Sequence, residues 1–254
     1  MQPAILGLVP WDASMPAGPQ QFLTVVSVVL WFLALWFVIS ECRRRGDRVP
    51  LWAFAGAGLI IVYEPLGDTL ASVLYPVHGQ NVWINLFGRP IPVFIGVLYF
   101  WYMSVPAIYF LRRLERGITR AQLWRMYLTS LALAIGIEVY GVRVGAWVYY
   151  GDHAYRVLGV PLWCPVTYSG FLSTISIGLY LMATRLKRQH HWLILLGLPA
   201  CMAGGHMVLS LPAAAAMFST SDPRWIWFGA TLSIALGLLL VHAMSLVMTK
   251  EANP

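Results

Sequence analysis

Charge is what this chain has least of. Asp, Glu, Lys and Arg make up only 11% of its 254 residues, where soluble domains carry roughly 25%. Acidic residues are scarcer still, ten in all. So few charges cannot cover a water-facing surface, and with 59% hydrophobic residues and a mean hydropathy of +0.69 the composition reads as a membrane protein. Cysteine is nearly absent. Cys42, Cys164 and Cys201 lie in or beside apolar stretches without metal-ligand spacing, as structural thiols would. Glycine-rich nucleotide loops are missing, and no span pairs histidines at i, i+4. Neither a metal nor a cofactor is therefore expected. The first apolar run has no basic residues before it, so a cleaved signal peptide is not expected.

Other absences narrow the function. The last span has no lysine, which excludes a retinal Schiff base at the usual place in a seven-helix rhodopsin. The two aspartate-rich, magnesium-binding motifs of membrane prenyltransferases are not present. No internal repeat is visible, which weakens the case for a transporter built from related halves.

What is present is a succession of apolar runs. Hydropathy predicts an all-α polytopic bundle of seven transmembrane helices, at about 21–40, 51–76, 91–111, 125–150, 160–184, 192–217 and 225–248. At about 20 residues per span these fill one domain, 1–254, with residues 1–20 expected along the outer interface. The net charge of +7 does not point to nucleic acid, because the basic residues sit in short clusters between spans. Arg43, Arg44, Arg45 and Arg48 follow the first span and Arg112, Arg113, Arg116, Arg120 and Arg125 the third. Arg185, Lys187 and Arg188 follow the fifth, and Lys250 the seventh. These thirteen share one side, leaving Arg89, Arg143, Arg156 and Arg224 toward the other. Since cytoplasmic loops retain Lys and Arg, the N-terminus is expected outside and the C-terminus in the cytoplasm. The short loops and arginine bias point to a bacterial inner membrane.

Within this apolar frame, acids stand out. Glu64 and Asp68 lie in the second span and Glu138 in the fourth, and a carboxylate in hydrocarbon costs several kcal/mol. Glu64 and Glu138 are each thirteen residues from the cytoplasmic start of their helix and His206 fourteen, which puts all three roughly 20 Å up, near mid-depth. Asp68 shares a face with Glu64, and Arg143 lies about 7.5 Å beyond Glu138 along its helix. A shared cavity is one reading; hydrogen bonding that merely holds helices together is the other. Pro65 deprives the carbonyl of Ile61 of its partner, a break tolerated where backbone is buried in protein or lines a polar cavity. Gly136, Gly141 and Gly145 are expected to let the fourth helix pack closely on a neighbour. In the outer loops, 77–90 suits a short interfacial helix carrying Trp83. Asp222 and Arg224 precede the last span.

An acid in an apolar pocket is expected to keep its proton and so to suit protonation of an apolar substrate, such as an isoprenoid alkene or epoxide. The resulting cation needs shelter from water and aromatic faces. Tyr63, Tyr140, Trp147, Tyr149, Tyr150 and Tyr168 fall in the middles or outer halves of the same helices as the acids.

The stretch EVYGVRVGAWVYY at 138–150, followed by LGVP at 158–161, resembles small polytopic carotenoid-modifying proteins, the hydratases and lycopene cyclases. These pair an intramembrane acid with a Gly/Tyr-rich helix end and a Gly-x-Pro restart. Where lycopene cyclases carry paired acids after the proline, this chain has Trp163-Cys164-Pro165. An acid midway along the second span and another just before the last, Glu64 and Asp222, is similar to the fungal seven-helix meroterpenoid cyclases, in which two such acids protonate the substrate. The resemblance implies Glu64 as proton donor or its partner and Asp222 as second acid. The expected activity is cofactor-independent terpenoid cyclisation, of isomerase or lyase type, on a lipophilic isoprenoid drawn from the bilayer. Glu64 would be the general acid, Asp68 or Glu138 would tune it, Arg143 would hold Glu138 ionised, and His206 or Asp222 would accept the final proton. Carotenoid hydration and proton- or cation-coupled transport are the alternatives.

Overall fold

We describe the computed structural model of the chain over residues 8–248, with Phe171 by its backbone only. Helix accounts for 75% of it, in seven stretches at the places hydropathy predicts. α1 (Ala17–Arg45) begins four residues earlier than expected and stops at Gly46, whose left-handed backbone lets its N–H bond the Cys42 carbonyl. α2 (Val49–Leu59) passes through a 3₁₀ turn, Ile60–Val62, into α3 (Glu64–Ala71) with a 56° bend. Pro65 sits at this break, where Tyr63 N–H turns back to the Ile60 carbonyl instead of continuing the α ladder. α4 (Val93–Arg116) absorbs Pro106 without ending. α5 (Arg120–Arg143) opens on a reciprocal capping box between Thr119 and Gln122. α6 (Trp163–Arg185), α7 (Ile194–Ser219) and α8 (Pro223–Val247) complete the bundle. Asp222 caps α8, and Pro223 takes the first helical position, where a missing N–H costs nothing.

Among the described residues, five helical stretches are long and apolar enough to cross a membrane: α1, α4, α6, α7 with its preceding 3₁₀ turn, and α8. The bent α2–α3 pair makes a sixth if it counts as one span. α5 is 24 residues long but does not qualify by composition, since Arg120, Gln122, Arg125, Glu138 and Arg143 dilute it.

The two ends of the bundle differ. At one end the basic connections meet: Arg45 binds Glu115 at 2.6 Å, Arg112 reaches Glu41 at 3.2 Å, and Arg188 donates to the Gly46 carbonyl. The first, third and fifth connections therefore share a side. Lys250 lies outside the described residues.

At the other end are three two-stranded antiparallel ribbons, which the all-helical reading does not contain. β1 (Val73–Leu74) pairs with β4 (Val148–Tyr149), β2 (Val82–Leu86) with β3 (Arg89–Pro92), and β5 (Arg156–Val157) with β6 (Val160–Pro161). The segment expected as an interfacial helix at 77–90 is thus mostly a hairpin. Its turn, Phe87-Gly88, has positive φ at both residues, as a two-residue hairpin loop with matching twist requires. Leu158-Gly159 does the same for the third ribbon. The N-terminal segment leans on this end: Ser14 bridges to His78, and Gln20 bonds Gly79 and Asn81. The expected second and fourth helices run on to 76 and 150, but the observed ones end at Ala71 and Arg143, and their continuations pair as β1–β4.

Candidate functional site

The β1–β4 ribbon builds the site. Had the second helix continued, Tyr75 would stand about 16 Å above Glu64, eleven residues away at 1.5 Å each. Instead Ser72 turns left-handed (φ 49°), the chain doubles back, and the Tyr75 hydroxyl donates to Glu64 Oε1 at 2.6 Å. The Tyr99 hydroxyl from α4 donates to Glu64 Oε2. The end of α5 repeats the device. Gly145 takes φ 71°, and the returning chain delivers Trp147 Nε1 and the Tyr149 hydroxyl to Glu138 Oε2, both at 2.8 Å. Gly141 makes this possible, because a Cβ there would come within 2.0 Å of the Trp147 ring. Of the three glycines expected to serve helix packing, Gly136 faces open space, while Gly141 and Gly145 serve this fold-back.

These groups surround one cavity of about 100 Å³. Glu64 and Asp68 from α3, Glu138 from α5 and His206 from α7 all line it, with Tyr99, Tyr102, Trp147, Tyr149 and Tyr168 forming aromatic walls. Gly67 gives His206 room, since a Cβ there would be 3.3 Å from its Cε1. The His206 ring meets the edges of Tyr63 and Tyr168 at centroid distances of 5.7 and 5.8 Å. Tyr149 and Tyr168 hydroxyls lie 3.3 Å apart, joining the Glu138 cluster to the His206 side.

The three acids are not equivalent. Glu64 has a phenol on each oxygen. Glu138 receives two donors on Oε2, and its Oε1 has no hydrogen bond within the described residues. Asp68 is 5% exposed, and its carboxyl makes no hydrogen bond among the described residues, although it is within electrostatic reach of Glu64, Glu138 and Arg89. A buried carboxyl without a partner is costly, so its hydrogen-bonding capacity is available to whatever occupies the cavity. Among the described residues no three His, Cys, Asp or Glu side chains converge as metal ligands would; the acids sit on separate parts of the wall.

Several expected site residues lie elsewhere. Asp222 is the cap of α8 and forms an exposed ion pair with Arg224 at 2.8 Å; the hydrogen bonds from Arg224 lower its carboxyl below the ordinary value. It does not line the cavity, so it is not placed to act with Glu64 as a second acid there. Arg143 is exposed and does not pair with Glu138, whose polar partners come from the fold-back instead. Tyr140 is 40% exposed and packs on Phe22. Trp83, 52% exposed, lies on the hairpin over Gly96. Tyr150 is buried but outside the cavity wall, bonded at 2.7 Å to Arg89, which also holds the Val73 carbonyl. Tyr63 is not on the cavity wall and meets the His206 ring edge-on.

The residues missed from sequence are Tyr75, Tyr99 and Tyr102. The last two have a legible signal: at i and i+3 they share a face of α4 with Ile95, Leu98 and Met103. Tyr75 had none, because a helix end and a reversing strand look alike over so few residues. No protein-family model matches the chain, and neither a curated protein nor a solved structure matches it.

Proposed function

We propose that this protein is an integral-membrane terpenoid cyclase, seven helices across with the N-terminus outside and the C-terminus cytoplasmic, in a bacterial inner membrane. It acts by protonating a lipophilic isoprenoid. The observation that carries this reading is a buried acid, Asp68, whose carboxyl has no hydrogen bond among the described residues, on the wall of an aromatic-lined cavity that holds two further acids. In the cyclisation, the Asp68 carboxyl gives its proton to a substrate alkene carbon or epoxide oxygen. An internal alkene of the same molecule attacks the resulting cation, forming the ring bond. A neighbouring C–H then loses its proton to His206, and Asp68 is reprotonated through the polar wall, so the substrate is isomerised with no net oxidant or reductant. The faces of Tyr99, Tyr102, Trp147 and Tyr168 stabilise the cation and keep water away. Glu64 and Glu138, fixed by phenols and an indole, are positioning residues that set the field around Asp68.

Asp68, rather than Glu64, is the proton donor in this scheme because both oxygens of Glu64 are already engaged. The test is product analysis of lipids from membranes expressing the chain with polyprenyl epoxides or linear polyenes. Asp68→Asn is expected to lower turnover on the order of 10²–10⁴-fold, the usual contribution of a general acid, while the variant stays folded. Full activity in Asp68→Asn would overturn the assignment.

The cavity volume favours a second reading. At about 100 Å³ it is smaller than the 300–1,000 Å³ usual for small-molecule pockets, and suits waters or a cation relayed between the acids. A proton- or sodium-dependent flux in proteoliposomes, lost in Asp68→Asn, would establish that transporter instead.

A further inference from the structure

A second hollow lies against the first. α4 and α5 are consecutive and joined by only three residues, 117–119, yet their backbones stay apart along their lengths; α4 packs on α1, α2 and α6, and α5 on α6 and α8. The gap between them is a groove of about 730 Å³ with a strongly apolar lining that includes Val105, Phe110, Met126 and Leu172. Tyr102 and Ile137 line both this groove and the acid cavity, so these two side chains are the partition between them.

The other end of the groove is cationic. Arg113, Arg125 and Gln122 line it at the basic end of the bundle. Nearby arginines are neutralised, Arg45 by Glu115 and Asp47, Arg112 and Arg44 by Glu41. Arg113 and Arg125 have no acidic partner among the described residues. Arg113 instead lies over the Tyr109 ring at 5.9 Å, with its Nε buried and without a hydrogen-bond partner. A positive end, an apolar body and a reactive far end describe the shape of one kind of ligand. From Arg113 to Tyr102 is eleven residues of helix, about 17 Å, or roughly half the hydrocarbon thickness of a bilayer.

We propose that the α4–α5 groove binds a long-chain isoprenoid amphiphile with an anionic, phosphate-type headgroup. The headgroup rests on Arg113 and Arg125, and the chain runs up between the helices so that its tip passes Tyr102 and Ile137 to reach Asp68. Guanidinium groups suit phosphate oxygens because of their paired, fixed donors. The arrangement explains how a small acid cavity serves a long substrate: only the reacting tip enters it. The bond protonated is then the one farthest from the headgroup, and the substrate comes from the leaflet at the basic end. This assignment rests on the cyclase reading for its chemistry, but its binding geometry is testable separately.

The test uses the full chain in nanodiscs of neutral phosphatidylcholine, with farnesyl phosphate and farnesol carrying a photoreactive group at the chain tip. Farnesyl phosphate is expected to bind at least tenfold more tightly than farnesol and to label peptides containing Tyr102 and Ile137. Arg113→Gln/Arg125→Gln is expected to reduce its affinity to that of farnesol without changing farnesol binding or thermal unfolding. Asp68→Asn should leave binding intact. Equal affinity for the two probes, labelling spread over all lipid-facing helices, or displacement of farnesyl phosphate by phosphatidylglycerol at equal concentration would overturn the groove assignment. If the groove assignment fails while Asp68-dependent conversion of a neutral isoprenoid persists, the cyclase reading stands. If selective binding holds and no product forms from any isoprenoid, the cyclase reading falls and the binding site stands.

Discussion

Acids at the two levels of this bundle meet opposite environments. At the basic end, Glu41, Asp47 and Glu115 are each paired with arginine, Asp47 and Glu115 partly exposed and Glu41 buried. In the interior, Glu64 and Glu138 are held by phenols and an indole, and the Asp68 carboxyl by no hydrogen bond among the described residues. Pairing with arginine settles a carboxylate's charge and leaves it chemically idle. Holding by neutral donors fixes position without supplying a counter-charge, so the group's proton remains the variable. The same residue type thus anchors helices in one place and is available for chemistry in the other.

The comparison can be broken at the interior first. Gly141→Ala puts a methyl group where the Trp147 ring lies. Either the indole or the end of α5 must move, and overpacking of this kind costs about 1–3 kcal/mol. A fall in thermal unfolding temperature, with loss of turnover beyond that of a Gly136→Ala control, is the expected outcome. Gly136 faces open space, so its variant should behave as the parent does.

The ribbon end can be probed by pH. His153, in the loop between β4 and β5, is stacked on Trp163 and hydrogen-bonded to the Tyr150 carbonyl at 2.9 Å. Burial, with Arg156 nearby, lowers its ring to about 4 from 6.5. The folded protein therefore resists the proton that the unfolded chain accepts. Stability is full above pH 6.5 and declines as pH falls toward 4, by at most about 3 kcal/mol. Thermal unfolding followed across that window should show the decline in the parent and a flatter profile in His153→Gln.

The smallest effect belongs to the basic end. Arg45 and Glu115 join the first and third connections at 2.6 Å, but near water. A double-mutant cycle on Arg45→Ala and Glu115→Ala should give a coupling below about 1 kcal/mol that shrinks in high salt. A large, salt-insensitive coupling would erase the contrast between the two levels.

Much of the architecture was legible. Hydrophobic runs and arginine clusters placed all seven helical stretches, because each run must hide from water along its whole length and that signal is local. The depth arithmetic that set Glu64, Glu138 and His206 at one level matches their meeting at one cavity, since helical rise is fixed by backbone geometry. Pro65 marked the bend. The reading failed where helix gave way to ribbon. Val73–Tyr75 and Val148–Tyr150 are as apolar as the helices before them, and nothing in their own composition says that the chain reverses. Asp222 and Arg143 were misplaced for a related reason: a linear position near a helix end does not reveal whether a side chain caps, pairs or points to lipid.

By itself, then, the sequence determined where the seven helical stretches lie, which end gathers arginine and which acids share one level along their helices, all properties of one segment at a time. The tertiary structure alone decided that two fold-backs, paired as β1–β4, would bring Tyr75, Trp147 and Tyr149 onto Glu64 and Glu138, and that the Asp68 carboxyl would have no hydrogen bond among the described residues. It also decided that α4 and α5 would stand apart. Those outcomes depend on distant segments competing for the same space and the same hydrogen bonds, and no single stretch of chain carries that information.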